Sequence, residues 1–402
     1  MELCHEVSAS NDRHAHGIQR RLAHVSPPQA KRRCNAVIAS IFVNPTQFSA
    51  TEDLDAYPAF QPEVRRRDLA MLEQAGVAAV YAPENPWEMY PQWPPFRSFV
   101  HPEGSAAANE GAARPHFFRG VATVVTKLFN TLPCQTAFFG AKDAYQCIVV
   151  KNLLRDLHLP HPQRIHIVPT QRYVSGLAAS SRNAYLSEQQ RDMAPALLGV
   201  MQQAAEWVET TVRHRGGALQ AQEYPTIVEA CRSALGGVAA QLGGGGIPPF
   251  TVEYISLMDA VSGEDVSDGN QAAVEASAAY LRQHGTAVKQ HYTREQTATP
   301  EQGATHPPTA VQDGIKWAPG DAIPHVVPCS YDATYAERFV YAPPSIPDAG
   351  GGGIQPPLVL SGAIRLLPAA GSGHSMVRLL DNIVVCGSEQ LMGGLLPEHE
   401  RM

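Results

Sequence analysis

The sequence predicts an α/β fold on a parallel sheet, joined to a smaller α+β domain toward the C-terminus. Two observations predict it. From Asn35 to about Pro169, short β-rich runs alternate with stretches of helical periodicity, which is the pattern of βαβ units packed as a parallel sheet. Beyond Pro169 the order changes to an apolar-striped helix and then two strand-like runs, with a proline- and glycine-rich tract between them.

The elements follow in order. AVIASIFV (Ala36 to Val43) is the first clear strand, and a helical stretch around Leu69 and Leu72 follows, stopped by Gly76. VAAVYAP (Val77 to Pro83) is the next strand. Val121, Val124, Val125 and Leu128 recur at i, i+3, i+4 and i+7, the spacing of one helix face. QTAFFG (Gln135 to Gly140) is a strand, Tyr145, Ile148, Val149 and Leu153 mark a further helix, and RIHIVPT (Arg164 to Thr170) a further strand. Ser187 with Gln190 forms an S-x-x-Q capping box ahead of a helix carrying Ala194, Leu197, Leu198 and Met201. FTVEYISL (Phe250 to Leu257) and RLLDNIVV (Arg378 to Val385) complete the strands.

Two segments break the pattern. Residues 1–33 contain no four-residue β run and are rich in polar side chains, so an atypical, poorly ordered leader is expected there and not a sheet strand. Residues 267–357 lose all periodicity and fill with prolines and the run Gly350 to Gly353, as a disordered insertion does. The expected layout is a leader over 1–33, a parallel-sheet domain over 34–170, a second domain made of 171–266 and 358–386, the insertion over 267–357, and a tail over 387–402.

Composition narrows the function. With 31 Lys+Arg against 38 Asp+Glu the formal net charge is −7, which argues against the broad basic surface that nucleic acids need and leaves room for a local basic pocket. No apolar run reaches the roughly 18 residues of a spanning helix, and no secretory signal opens the chain. This reads as a soluble, intracellular protein with no membrane partner. The seven cysteines are scattered without a C-x-x-C pair and read as reduced thiols.

The motifs carry the chemistry. In IFVNPTQF (Ile41 to Phe48), Asn44 and Gln47 stand just past the carboxyl end of a buried strand, where open α/β sheets place ligands. Two amides there suit the oxygens of a small polar substrate, and plain turn chemistry is the competing reading. Four further segments keep it company: EDLDAYP (Glu52 to Pro58), EGAARP with FRGVATVVTKLFN (Glu110 to Asn130), FFGAKDAYQ (Phe138 to Gln146) and GLAASSRNAYLS (Gly176 to Ser187). In this order and at these intervals they resemble the pantothenate synthetases, or pantoate-beta-alanine ligases. The resemblance runs over about 36–200 and resumes at 250–260 and 361–385. Each motif alone is weak; five in register are specific.

The resemblance implies a Rossmann-like nucleotidyltransferase domain for ATP and pantoate, a smaller C-terminal lid domain, and commonly a cytoplasmic homodimer. It implies that ATP and Mg2+ convert pantoate to pantoyl adenylate, which beta-alanine then turns into pantothenate. Carried over by position, Gln47 and Gln146 match the glutamines on pantoate, and Asn44, Tyr57 and Arg114 match positions in or beside that pocket. Gly140 matches a point of close backbone approach to ATP, Lys142 a cation on its phosphate, and Asp143 an acceptor for the ribose hydroxyls. Ser180, Ser181 and Arg182 match the loop that clamps the triphosphate.

Departures stand beside these matches. The family's first strand, its P-T-M-G turn and its H-x-G-H motif are not found. His24 is one candidate for a surviving phosphate ligand, the pair His14/His16 is another, and three exposed histidines of a leader are the third reading. The imidazole of R-P-x-H-F is displaced to His116, Ser175 replaces an aspartate, and Asp68 and Glu63 are what remain of an acidic pair for the metal. A relative that keeps the nucleotide fold with impaired catalysis is therefore the alternative function. A tRNA-linked nucleotidyltransferase is disfavoured by the net charge.

Overall fold

Val37–Ser40 is a continuous apolar-and-small run whose four side chains are all buried, as a strand covered on both faces requires. In the computed structural model, which describes residues 2–5, 30, 34–48, 62–91, 96–103, 109–162, 164–168, 170, 172–173, 175–180, 183, 186–215, 219–260, 262–270, 358–367 and 376–386, this strand belongs to a five-stranded sheet. The strands are β1 (Glu2–His5), β2 (Val37–Ser40), β3 (Ala79–Tyr81), β4 (Thr136–Gly140) and β5 (Arg164–Val168), in the order β3-β2-β1-β4-β5. All four pairings are parallel. The order reverses between β1 and β4, which makes the carboxyl edge beside them the place for a ligand.

The expectation of no strand in residues 1–33 is corrected here. Glu2–His5 fills the central slot, Leu3 opposite Ile38 on one side and Ala137 on the other. A strand paired along both edges takes its hydrogen bonds from backbone alone, so ELCH, with two apolar residues, forms one without an apolar run. Ala30, in the same stretch, is buried against Val37, Phe138 and Val168.

Helices cover the sheet. Helix α1 (Pro62–Gln74) ends where Gly76, at φ +73°, turns the chain back; the short α2 (Pro86–Met89) and α3 (Glu110–Ala113) follow. Helices α4 (Phe117–Thr131) and α5 (Ala144–Asp156) bury the stripes the spacing predicts. Gly120 lies where α4 meets the 3-10 turn Pro45–Gln47: a Cβ there would come 2.6 Å from the Thr46 carbonyl oxygen and 2.7 Å from Gln47 Cα.

The second domain opens with α6 (Glu188–Met193), capped as expected by the reciprocal Ser187–Gln190 box, but this helix stops before the expected stripe: the chain turns at Ala194 and Pro195, and Leu197, Leu198 and Met201 fall on the next helix. Helices α7 (Ala196–Arg215) and α8 (Tyr224–Gly243) pack on an antiparallel sheet of β6 (Phe250–Asp259), β7 (Leu358–Leu366) and β8 (Val377–Cys386), in that order. Of these, the sequence pattern predicts neither α8 nor β7. The folded chain continues past the expected boundary at 267, because Ser267 Oγ accepts from the Leu257 amide at 2.8 Å and Gly269 sits against Ala221. The rest of the insertion and the tail lie outside the described residues. Met258, Ala260 and Val359 reach into the core around α4 and α5, so the two domains share apolar packing.

Candidate active site

A crevice of about 770 Å³, counting its open mouth, lies between the carboxyl edge of the parallel sheet and the second sheet. Strand β4 runs out at Gly140 and a single 3-10 turn, Ala141–Asp143, carries Lys142 and Asp143 into it ahead of α5. The N-terminal end of that helix favours anions. Lys142 Nζ stands 3.6 Å from Asp143 Oδ1, both side chains about one-quarter exposed, and Gln146 enters one turn further on. Ser180 lines the opposite wall. Its loop is built by a tight turn at Gly176, φ +88°, and closed by Asn183, whose Nδ2 donates to the Ala178 carbonyl at 2.8 Å.

Arg114 also lines the crevice, its Nη1 3.6 Å from Glu110 and its guanidinium 3.8 Å over the Phe117 ring. The structure thus brings together Arg114, Lys142, Asp143, Gln146 and Ser180 of the expected set.

Others stand elsewhere. Asn44 is buried, donates to the Gly120 carbonyl (3.0 Å) and to Gln47 Oε1 (3.2 Å), and accepts from the Tyr90 hydroxyl (2.7 Å). Its side chain fastens the turn to α4 and to Tyr90 and does not line the crevice. Gln47 is oriented by it and lies outside the crevice wall. At Gly140 an added Cβ would meet nothing within 4 Å. His24, Tyr57, Ser181, Arg182, His14 and His16 lie outside the described residues. His116 is exposed in the left-handed region, φ +72°, and does not line the crevice.

The metal candidates fare differently. Glu63 is exposed, and Asp68 is buried with its carboxyl pushed up to about 6 by desolvation, Arg67 opposing the shift. Neither lines the crevice. No group of three potential metal ligands occurs among the described residues.

Sequence reasoning missed the wall that the second sheet supplies. Glu110 on α3 receives two bonds from Arg378 of β8 (2.9 and 2.7 Å) and one from the Tyr254 hydroxyl of β6 (3.2 Å). Burial and the Glu110 charge push Tyr254 well above the ordinary tyrosine range, keeping it a donor. Arg378 also meets Glu253, which in turn holds Arg365. The available signal was a run of charged and amide residues, Arg378, Asp381 and Asn382, inside an otherwise apolar strand.

Known proteins resemble this chain in sequence and in fold. The family model described as Pantoate-beta-alanine ligase matches residues 24–287. The chain is 47% identical over 209 residues to the pantothenate synthetase of Chloroflexus aurantiacus, 52% of this chain and 68% of that one. It is 41% identical over 251 residues to that of Herpetosiphon aurantiacus, 62% and 81%. The solved pantothenate synthetase of Thermus thermophilus superposes with a TM-score of 0.53 at 26% identity, covering 96% of this chain and 93% of that one. With the family's sequence matched over more than half of its residues and the family's fold around the crevice, the chain belongs to the pantoate-beta-alanine ligases.

Proposed function

We propose that the protein condenses pantoate with beta-alanine at the expense of ATP, forming pantothenate, AMP and pyrophosphate. The observation that carries this reading is the convergence of Lys142, Asp143, Gln146 and Ser180 on one crevice at the sheet's switch point.

The chemistry asks for what these residues offer. A pantoate carboxylate oxygen attacks the α-phosphorus, the bond to the bridging oxygen breaks, and pyrophosphate leaves with the electron pair. The beta-alanine amine then attacks the mixed anhydride carbonyl, expels AMP and loses a proton. Two anions must be held together in the first step, and charge grows on the leaving group, so positioning and fixed cations supply most of the catalysis. Lys142 is the point charge for that phosphate charge. Ser180, with Ser181 and Arg182, clamps the triphosphate; Asp143 accepts from the ribose hydroxyls; Gln47 and Gln146 orient pantoate, with Tyr57 and Arg114 flanking it. Gly140 leaves the backbone open to the nucleotide, and His24 is the histidine assigned to the phosphates.

Among the described residues the crevice offers separate carboxylates and no cage of ligands, which suits a Mg2+ ion that arrives on the triphosphate and keeps most of its waters. When bound it neutralises phosphate charge. We further assign the protein to the cytoplasm as a homodimer acting on small molecules, without nucleic-acid or membrane partners. Central strand β1 supports the active reading over an impaired relative, since the sheet keeps its middle.

The test is AMP formation by the purified chain with ATP, pantoate and beta-alanine. Lys142→Ala should lower the rate about 100- to 1000-fold, the size expected for one fixed transition-state charge. A folded wild-type protein that makes no AMP with all three substrates would refute the proposal.

A further inference from the structure

Two neighbouring residues of β8 hold the two segments that carry the phosphate-binding groups. Asp381 forms a paired bond with Arg172, Nη1 to Oδ2 at 2.6 Å and Nη2 to Oδ1 at 2.7 Å, with side chains only 7% and 8% exposed. Arg172 Nη1 also donates to the Gly176 carbonyl at 3.1 Å, and Arg172 bridges to Ala178. The carboxylate therefore grips the turn that leads, two residues on, to Ser180. The next residue of the strand, Asn382, donates from Nδ2 to the backbone carbonyl of Lys142.

Both residues sit within the paired part of the lid sheet, Asp381 opposite Gly362 and Asn382 opposite Ser361. Their Cα atoms are thus fixed about 3.8 Å apart, and successive side chains leave a strand in opposite directions. One side chain takes the loop of Ser180 and the other takes the turn of Lys142. A buried ion pair adds little net stability compared with apolar groups of the same volume; what the bidentate fork fixes is orientation.

We infer that Arg172, Asp381 and Asn382 are positioning residues that set the separation of Lys142 and the Ser180 loop for adenylate formation. This rests on the ligase reading above. A second-step reaction, in which no triphosphate is bound, does not need that separation.

The experiment measures the two half-reactions apart, as pyrophosphate release from ATP and pantoate, and as consumption of supplied pantoyl adenylate by beta-alanine. Arg172→Gln and Asp381→Asn should each slow pyrophosphate release about 10- to 100-fold, the effect of a misplacement near 1 Å. Consumption of the adenylate should change by less than about threefold. The double variant should be no slower than the worse single one, because both remove one interaction. Equal loss in both half-reactions, no loss in either, or multiplying losses in the double variant overturns the inference. Asn382→Ala removes one amide and no buried charge, and gives the same comparison if the charge variants do not fold. A wild-type protein releasing no pyrophosphate overturns the ligase reading and this role with it. A wild-type protein that releases it at the same rate as the variants overturns only this role.

Discussion

Gly120 sets how closely helix α4 approaches the turn that carries Gln47. The nearest atoms to an added Cβ are backbone, the Thr46 oxygen and the Gln47 Cα and nitrogen, and backbone cannot rotate away as a side chain can. Gly120→Ala must therefore push the turn off the helix, stretching the 3.0 Å bond from Asn44 to the Gly120 carbonyl. Overpacking of this kind costs about 1–3 kcal/mol. Urea unfolding should show that loss, and, on the proposed role of Gln47, the KM for pantoate should rise with it; an alanine variant with unchanged stability would mean the turn yields freely. The same residues show what sequence could reveal at this scale. IFVNPTQF announced a strand-end turn, but whether Asn44 faced ligand or scaffold depended on Gly120 and Tyr90, which stand 76 and 46 residues away.

At the scale of elements, α5 meets the end of β6 through a half-buried lysine, Lys151. Lys151 Nζ donates to the Ala260 carbonyl at 3.1 Å, and Asn152 Nδ2 donates to that of Ser262 at 3.2 Å. Burial lowers the lysine to about 7, against an opposing pull from Asp259. The ordinary value, near 10.5, applies when the chain is unfolded, so between about pH 7 and 10 the unfolded state holds a proton that the native state lacks. Stability from this site therefore rises with pH across that window, by at most about 1.4 kcal/mol per pH unit, and is flat below it. Melting temperatures followed from pH 6.5 to 9 should climb in the wild type relative to Lys151→Met; parallel curves would place the lysine's proton elsewhere. Elements with strong periodicity, α4 and α5 among them, were legible because one helix face carries the whole signal. Strand β1 was not, since its place between β2 and β4 is decided by backbone pairing. The wall from the second sheet was hidden for another reason: Asn382 meets Lys142 across 240 residues of sequence, and no local pattern records such a meeting.

On the scale of the whole molecule, the ends of the tract between β6 and β7 are held by the antiparallel sheet. Asp259 pairs with Leu358 where the two strands are antiparallel neighbours. On leaving β6, residues 262–270 fold back along it, with Asp265 bridging Met258 and the Val266 amide donating to the Leu257 carbonyl at 2.9 Å. The connection from Asn270 to Leu358 is therefore a crossing between adjacent strands that the hydrogen bonds of β6, β7 and β8 already specify. Loop-closure entropy changes slowly with length, by about 0.6 kcal/mol for each doubling, so an 87-residue connection and a short one differ little in cost. Replacing residues 271–357 with about 12 glycines and serines, enough to span roughly 40 Å when extended, should leave the chain folded and the rate of AMP formation within about twofold. The product of this deletion is checked by its melting transition and by the pyrophosphate-release assay. A loss of folding would assign the tract a part of the core, and a folded protein with less than a tenth of the activity would assign it a part in the active site.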